Sequence, residues 1–366
     1  MSHHLKSNAK IIRICSKIRE YIGSSIKEVE EKSLHTYAYQ KINKNNINGQ
    51  LLNEVKEKEQ KKISESNIII TTCSTSFDNR LQDQEFKYVL VDEAGQSCEP
   101  ENLLPLLYGA KHVVLIGDEK QLGPVILNQK AAQVGLKISM FERMIKLYKD
   151  TNKYSLLEIQ YRMQKEIVEF SSKTFYENKL VTGVNEVDNS QYLKIFRNRI
   201  LFINVEGKDN LSSSGTSLEN KEEALIISKI IRMFPNGISH KNIGIITPYI
   251  SQKNLIYSKL SKNDNYNLEI SSVDSFQGRE KDYIIISTVR SNSQNIIGFL
   301  KDPRRLNVML TRAKYGLIIL GNIKCLFNAK QNDEVEEENN QGVQVVNRCT
   351  IWRNLIEFYR NKNALV

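Results

Sequence analysis

The sequence predicts an α/β protein of two domains, and three observations carry that reading. Seven short apolar runs rich in β-branched residues punctuate the chain, near 67–72, 87–92, 112–117, 199–204, 242–247, 282–288 and 316–320. Stretches of helical character separate most of them, the alternation expected of parallel α/β layers. Two runs end abruptly in polar residues, Val89-Leu90-Val91-Asp92-Glu93 and Val113-Val114-Leu115-Ile116-Gly117-Asp118. Such an ending places the polar groups at the carboxyl edge of a buried parallel strand, where an open sheet binds its ligands. A length of 366 residues suits two domains, each large enough to bury a core.

Taken in order, residues 16–64 differ from the rest. Ser24 is placed to cap a helix over Ile26–Ile42, Asn43–Gly49 reads as a break rich in turn formers, and Gln50–Ile63 reads as a second, charged helix. Together they predict a helical insertion in the first domain, which without a ligand would be a solvent-exposed hairpin. The first three strands follow, and then a helix containing Phe141-Glu142-Arg143. The domain boundary is expected near 153–160, giving a first domain over 1–155 and a second over 156–366. The remaining four runs supply the second sheet. Residues 331–345, acidic and rich in asparagine, are expected to form a flexible surface loop before an amphipathic helix resumes at Trp352–Tyr359, where Trp352 reads as a packing residue.

Hydrophobic residues at 40% and charged residues at 26% argue against disorder of the whole chain. Lys and Arg number 52 against 42 Asp and Glu, a net charge of +10. That balance favours a polyanionic partner, and a lysine-rich proteome would also produce it. Cys15, Cys73, Cys98, Cys325 and Cys349 are odd in number and lack C-x-x-C spacing, so they read as free thiols of a reducing compartment. Met1-Ser2-His3-His4-Leu5-Lys6 has no secretory core, His3 and His4 read as solvated, and no apolar stretch is long enough to span a membrane. The expected location is the cytoplasm.

Further motifs follow the two strand ends: Glu119-Lys120-Gln121-Leu122-Gly123-Pro124, Gln160-Tyr161-Arg162-Met163, Thr247-Pro248-Tyr249, Val273-Asp274-Ser275-Phe276-Gln277-Gly278-Arg279-Glu280, and Arg304-Arg305-Leu306-Asn307 running on to Leu310-Thr311-Arg312-Ala313. In order and spacing this set resembles the superfamily 1 nucleic-acid helicases, and within them the RNA helicases of nonsense-mediated mRNA decay. The resemblance runs from about Ile11 to Gly321 and includes Gly109-Ala110-Lys111, Lys130-Ala131-Ala132 and Ser213-Ser214-Gly215-Thr216-Ser217 between the motifs. Any one motif alone would be weak.

The resemblance implies two RecA-like parallel-sheet domains of the P-loop NTPase fold, the first incomplete, and a motor that couples ATP hydrolysis to movement on single-stranded RNA, with DNA as the alternative strand. It implies that Asp92 holds Mg²⁺ through water, that Glu93 orients or deprotonates the attacking water, and that Gln121 senses the γ-phosphate. Arg162 and Arg312 are the implied arginine fingers, a role that suits the fixed fork of a guanidinium. Tyr161 would stack on adenine and Glu280 would contact the ribose or couple the cleft to the strand. Gly278 would permit close backbone approach. By position Thr71, Ser74, Thr247, Pro248, Ser272 and Val273 would meet the nucleic-acid backbone, and hydroxyl residues at strand ends equally serve as helix caps.

The family opens its first domain with a phosphate-binding loop, G-x-x-x-x-G-K-S/T, and no such string occurs in the 366 residues. The chain reads as the carboxy-terminal majority of such a helicase and by itself is expected to be inactive. The cysteine- and histidine-rich region through which the full family binds mRNA decay factors has no counterpart in it. Two other readings stay open: a catalytically inactive RNA-binding scaffold, and a related superfamily 1 helicase acting on DNA or RNA. Retention of Glu93, Gln121, Arg162 and Arg312, which serve hydrolysis, speaks against the scaffold.

Overall fold

A computed structural model describes residues 9–39, 49–187, 190–213, 215–260, 267–329, 335–339, 342–346 and 350–366. The chain divides into two compact units, one of residues 1–119 and 123–154, the other of residues 120–122 and 155–366.

In the first unit β1 (Ile11–Arg13) pairs in parallel with β2 (Ile68–Ile70). The segment between them carries helices at Lys17–Ile22, Lys27–Glu31, Leu34–Ala38 and α1 (Gly49–Ser64). The single helix expected over Ile26–Ile42 is therefore broken, and residues 40–48 lie outside the described set. The break has a cause in pairing: Arg13 N donates to Lys32 O at 2.8 Å and Arg13 bridges to Ser33, so the chain turns extended there. Ser24 does not cap the helix; its Oγ accepts from Ile26 N while its own N–H donates to Glu30. Ile12, Ile14, Leu34, Ile63 and Leu81 form the core that joins this helical segment to β1. A half-buried ionic cluster adds to it, since Arg80 meets Glu20 at 2.7 Å, Asp78 at 2.9 Å and Glu59 at 3.1 Å.

The second pair of parallel strands, β3 (Tyr88–Val91) and β4 (His112–Leu115), carries the first two motifs. Val89 and Val91 pack with Ala94 and Phe141. Phe141 belongs to α2 (Met140–Tyr148), which Ser139 caps, its Oγ accepting from Glu142 N at 3.1 Å.

The second unit has a five-stranded parallel sheet. Its strands are β5 (Ile200–Asn204), β6 (Ile243–Ile246), β7 (Glu269–Ser271), β8 (Lys281–Ser287) and β9 (Ala313–Gly321), in the order β7-β6-β8-β9-β5. Strand residues alternate between two cores, as the pleat demands. Ile284, Ile286, Leu317, Ile319, Ile200 and Phe202 face one, and Tyr283, Ile285, Ile318, Leu320, Leu201, Ile243 and Ile245 face the other. On the first side pack α3 (Lys165–Phe175), α7 (Pro303–Leu310) and α8 (Thr350–Asn361), and on the second α4 (Lys221–Met233) and α5 (Ile250–Lys259), with a short α6 (Val273–Phe276) after β7. Trp352 is a packing residue: it is buried and its Nε1 donates to Leu300 O at 2.8 Å.

Residues 335–339 and 342–346 form an antiparallel hairpin, which corrects the expected flexible loop over 331–345. The valine-bearing stretch Gly342–Val346 explains the strand; residues 331–334, 340 and 341 lie outside the described set. Among the described residues no helix is long and apolar enough to cross a membrane.

Candidate functional site

In the first unit the carboxyl ends of β3 and β4 are knitted together. Ile116 N donates to Val91 O, and Ala94 N donates back to Ile116 O, both at 2.8 Å. Gly117 sits where a Cβ would come within 3.1 Å of Gly95 N and 3.3 Å of the Phe141 ring, so the absence of a side chain favours the close contact of the two loops. The buried Asn102 holds the loop from beneath, with Nδ2 donating to Ala94 O at 2.9 Å. On this frame Asp92 and Glu93 project exposed side chains. Glu93 has a φ of 53°, and its N–H donates to Asp92 Oδ1 at 3.0 Å. That leaves the rest of the Asp92 carboxylate to solvent, a donor of the hard oxygen type that Mg²⁺ takes. Among the described residues no cluster of three or more His, Cys, Asp or Glu could hold a metal by itself.

Thr71 and Ser74 follow β2. The Thr71 hydroxyl is buried without a hydrogen-bond partner among the described residues, and Ser74 Oγ donates to Glu101 at 3.0 Å.

In the second unit the candidate residues separate to the two edges of one sheet. Glu280 precedes β8 and Arg312 precedes β9, which places both at the amino edge. Glu280 receives Arg162 Nε at 2.6 Å and Lys314 Nζ at 2.7 Å. Lys314 and then Arg162 hold the Glu280 carboxyl below its ordinary range, against the opposing effect of burial. Arg162 also donates to Thr311 O at 3.2 Å, and Gln160 shapes its loop by accepting from Arg162 N and Met163 N. Tyr161 is 73% exposed, an aromatic face open to a flat partner. Arg312 is fully buried; it donates to Val308 O at 3.0 Å, Thr311 Oγ1 at 2.8 Å and Gln121 Oε1 at 3.1 Å. Gly278 has a φ of 72° and a Cβ there would meet nothing. Among protein atoms the left-handed backbone is what favours glycine at this position.

The nucleic-acid candidates lie at the carboxyl edge of the same sheet, Thr247 and Pro248 after β6 and Ser272 and Val273 after β7. The Thr247 hydroxyl is buried and has no partner among the described residues. Ser272 caps α6, accepting from Ser275 N at 3.3 Å, so the capping alternative holds for it. The Val273 side chain is buried in the core, which leaves its backbone for a ligand. Lys314, the second cation on Glu280, stood in the sequence only as the residue after Ala313, with no motif to assign it a role.

A family model described as an AAA domain matches residues 136–324, and a second AAA domain model matches residues 2–129. The regulator of nonsense transcripts 1 of Dictyostelium discoideum is 40% identical over 387 residues, covering 98% of this chain and 27% of that protein. The ATP-dependent helicase NAM7 of Saccharomyces cerevisiae is 39% identical over 382 residues, covering 98% and 37%. The regulator of nonsense transcripts 1 homolog of Arabidopsis thaliana is 38% identical over 387 residues, covering 98% and 29%. The chain therefore spans between 27% and 37% of the length of these relatives.

Proposed function

We propose that this chain, which belongs to the AAA-domain family, forms the two RecA-like units, the first incomplete, of an ATP-driven translocase on single-stranded RNA, like the helicase and the regulators of nonsense transcripts to which it is similar. The observation that carries the nucleotide part is the cluster at the amino edge of the second sheet. There Arg162 and Lys314 converge on Glu280, and Arg312 is bonded to Gln121. Rigidly held guanidinium groups beside a glutamine suit the developing charge of a transferring phosphoryl group.

In this reading Asp92 holds Mg²⁺ through water, and the ion, when bound, neutralises phosphate charge. Glu93 orients the attacking water, Arg162 and Arg312 meet the γ-phosphate, Tyr161 stacks on the adenine and Glu280 accepts from the ribose. At the opposite edge, Thr247, Pro248 and the backbone of Ser272 and Val273 carry the strand; in the first unit Thr71 and Ser74 are the candidates for the same role. A net charge of +10 supports a polyanionic partner. Cys15, Cys73, Cys98 and Cys325 are free thiols, which supports a reducing compartment such as the cytoplasm.

Binding of single-stranded RNA by the purified chain tests the reading. Affinity should fall roughly tenfold or more between low and physiological salt and vary little with sequence, because contacts go chiefly to phosphates. A salt-insensitive complex, or one confined to a single short sequence, would favour a scaffold instead. Hydrolysis is tested in a chimera that carries a segment with a G-x-x-x-x-G-K-S/T phosphate loop upstream. There Glu93→Gln should abolish turnover and leave nucleotide binding in place, since the amide keeps the shape but cannot act as a base.

A further inference from the structure

Beneath the carboxyl edge of the second sheet, one buried carboxyl ties the loops together. Glu223 lies in the first turn of α4 and is completely buried. Asn220 caps that turn, its Oδ1 accepting from Glu223 N at 3.1 Å. Both Glu223 oxygens accept from Val289 N at 3.0 Å, and one of them meets Ser287 Oγ at 2.5 Å. Ser287 Oγ also accepts from Gln252 Nε2 at 3.0 Å. Gln252 brackets Asn220, accepting from its N–H at 2.8 Å and donating to its carbonyl at 3.1 Å. Asn220 Nδ2 in turn donates to Val289 O at 3.1 Å.

The network joins two loops. Gln252 stands at the start of α5, directly after Thr247-Pro248-Tyr249, while Ser287 ends β8 and leads into the loop 288–292. Val289 makes the connection necessary. Its φ of 70° is a left-handed conformation that β-branched residues avoid, and both of its peptide groups are held, the N–H by Glu223 and the carbonyl by Asn220. Past Val289, Arg290 faces Asp209 at 3.3 Å, and Asp209 also accepts from Ser291 N and Asn292 Nδ2.

We propose that Glu223, with Asn220 and Gln252, is a positioning residue for the nucleic-acid edge. It fixes the left-handed turn at Val289, so that the loop 288–292 and Thr247-Pro248 present one surface to a single strand. The inference rests on the nucleic-acid reading above and adds to it the loop 288–292 and the group that holds it.

The test measures amide exchange at Val289 and affinity for a labelled oligouridylate, using the full chain. Glu223→Ala should speed Val289 exchange by about tenfold or more and weaken binding by about tenfold, with circular dichroism unchanged. Glu223→Gln keeps an acceptor for Val289 N–H and should bind within about twofold of the parent. In Glu223→Ala/Val289→Gly the affinity should largely return, because glycine adopts the left-handed turn without help. Ile231→Ala removes another buried side chain of α4 and should leave affinity unchanged.

Parent-like binding by Glu223→Ala overturns the proposal, and so does an equal loss in Ile231→Ala, which would mark general destabilisation. If Glu223→Ala does not fold, Gln252→Ala decides, since it severs α5 from Ser287; unchanged affinity then overturns the proposal. If the parent chain does not bind RNA, the nucleic-acid reading fails by itself. Unchanged Val289 exchange in Glu223→Ala refutes the positioning role separately.

Discussion

Arg162 and Glu280, 118 positions apart in sequence, meet at 2.6 Å at the amino edge of the second sheet, and Lys314 meets the other Glu280 oxygen at 2.7 Å. One carboxylate thus neutralises two cations, of which Arg162 is the one that the proposed chemistry would turn toward phosphate.

The first prediction concerns that carboxylate. Glu280 and Arg162 are each about a third exposed, so solvent screens them and Glu280→Gln should cost about 0.5–1 kcal/mol at neutral pH. Its pKa is lowered in the folded state, so this stability is present above the ordinary value of 4.5 and is lost as pH falls through the lower folded value. Urea midpoints of parent and variant should differ at pH 7 and converge below pH 4.5. A gap that widens in acid would contradict the assignment.

Arg312 is a stronger case because it is buried and makes three hydrogen bonds. Arg312→Ala removes a buried side chain with its hydrogen bonds and leaves a cavity, and should destabilise the second unit by about 2 kcal/mol or more. Lysine carries the charge without the fork, so Arg312→Lys should recover only part of the loss. Chemical denaturation compares the three; equal stability of parent and Arg312→Ala would show that these bonds contribute nothing net.

The seven apolar runs all became strands; in the second sheet they did so because parallel strands buried on both faces read as unbroken hydrophobic stretches, whereas in the first unit Tyr88, Leu90, Val113 and Val114 stay exposed. Ile11–Arg13 and Glu269–Ser271 carried too little of that signal: each has three residues, and the second, at the sheet's edge, mixes polar and apolar side chains. The helix over Ile26–Ile42 failed for a nonlocal reason, the pairing of Arg13 with Lys32 and Ser33, which no helical periodicity reports. In the candidate site, the motif settings singled out Arg162 and Glu280, and Arg312 and Gln121, as residues of interest, and the structure brings each pair together. Glu223 was not, because an acidic residue in the first turn of a helix is ordinary there. Its meaning comes from Val289, distant in sequence and unusual only in its backbone angle.

Arg80 offers a prediction for the first unit. Burial pushes the Glu59 carboxyl up, whereas at Asp78 burial acts the same way but the Arg80 hydrogen bonds outweigh it and hold that carboxyl low. Arg80→Ala strands Glu20, Glu59 and Asp78 together and should cost about 3 kcal/mol or more. Amide exchange in Lys17–Ile22 and Gly49–Ser64 should rise more than in β3 and β4, since Glu20 and Glu59 sit on those two helices. A uniform rise would mean that the cluster serves the unit as a whole.

The last prediction concerns the proton on Glu223. Burial pushes its carboxyl up to about 8, and the hydrogen bonds from Ser287 and Val289 only partly oppose that rise. The folded state therefore holds a proton that the unfolded chain releases near 4.5. The stability tied to that proton is complete below the unfolded value and is lost as pH rises through about 8. Parent stability should decline across this window. Glu223→Gln has no proton to lose and keeps an acceptor for Val289 N–H, so its decline should be shallower. Urea unfolding at intervals from pH 5 to pH 9 measures both slopes, and parallel slopes would show that Glu223 is ionised in the folded protein at neutral pH.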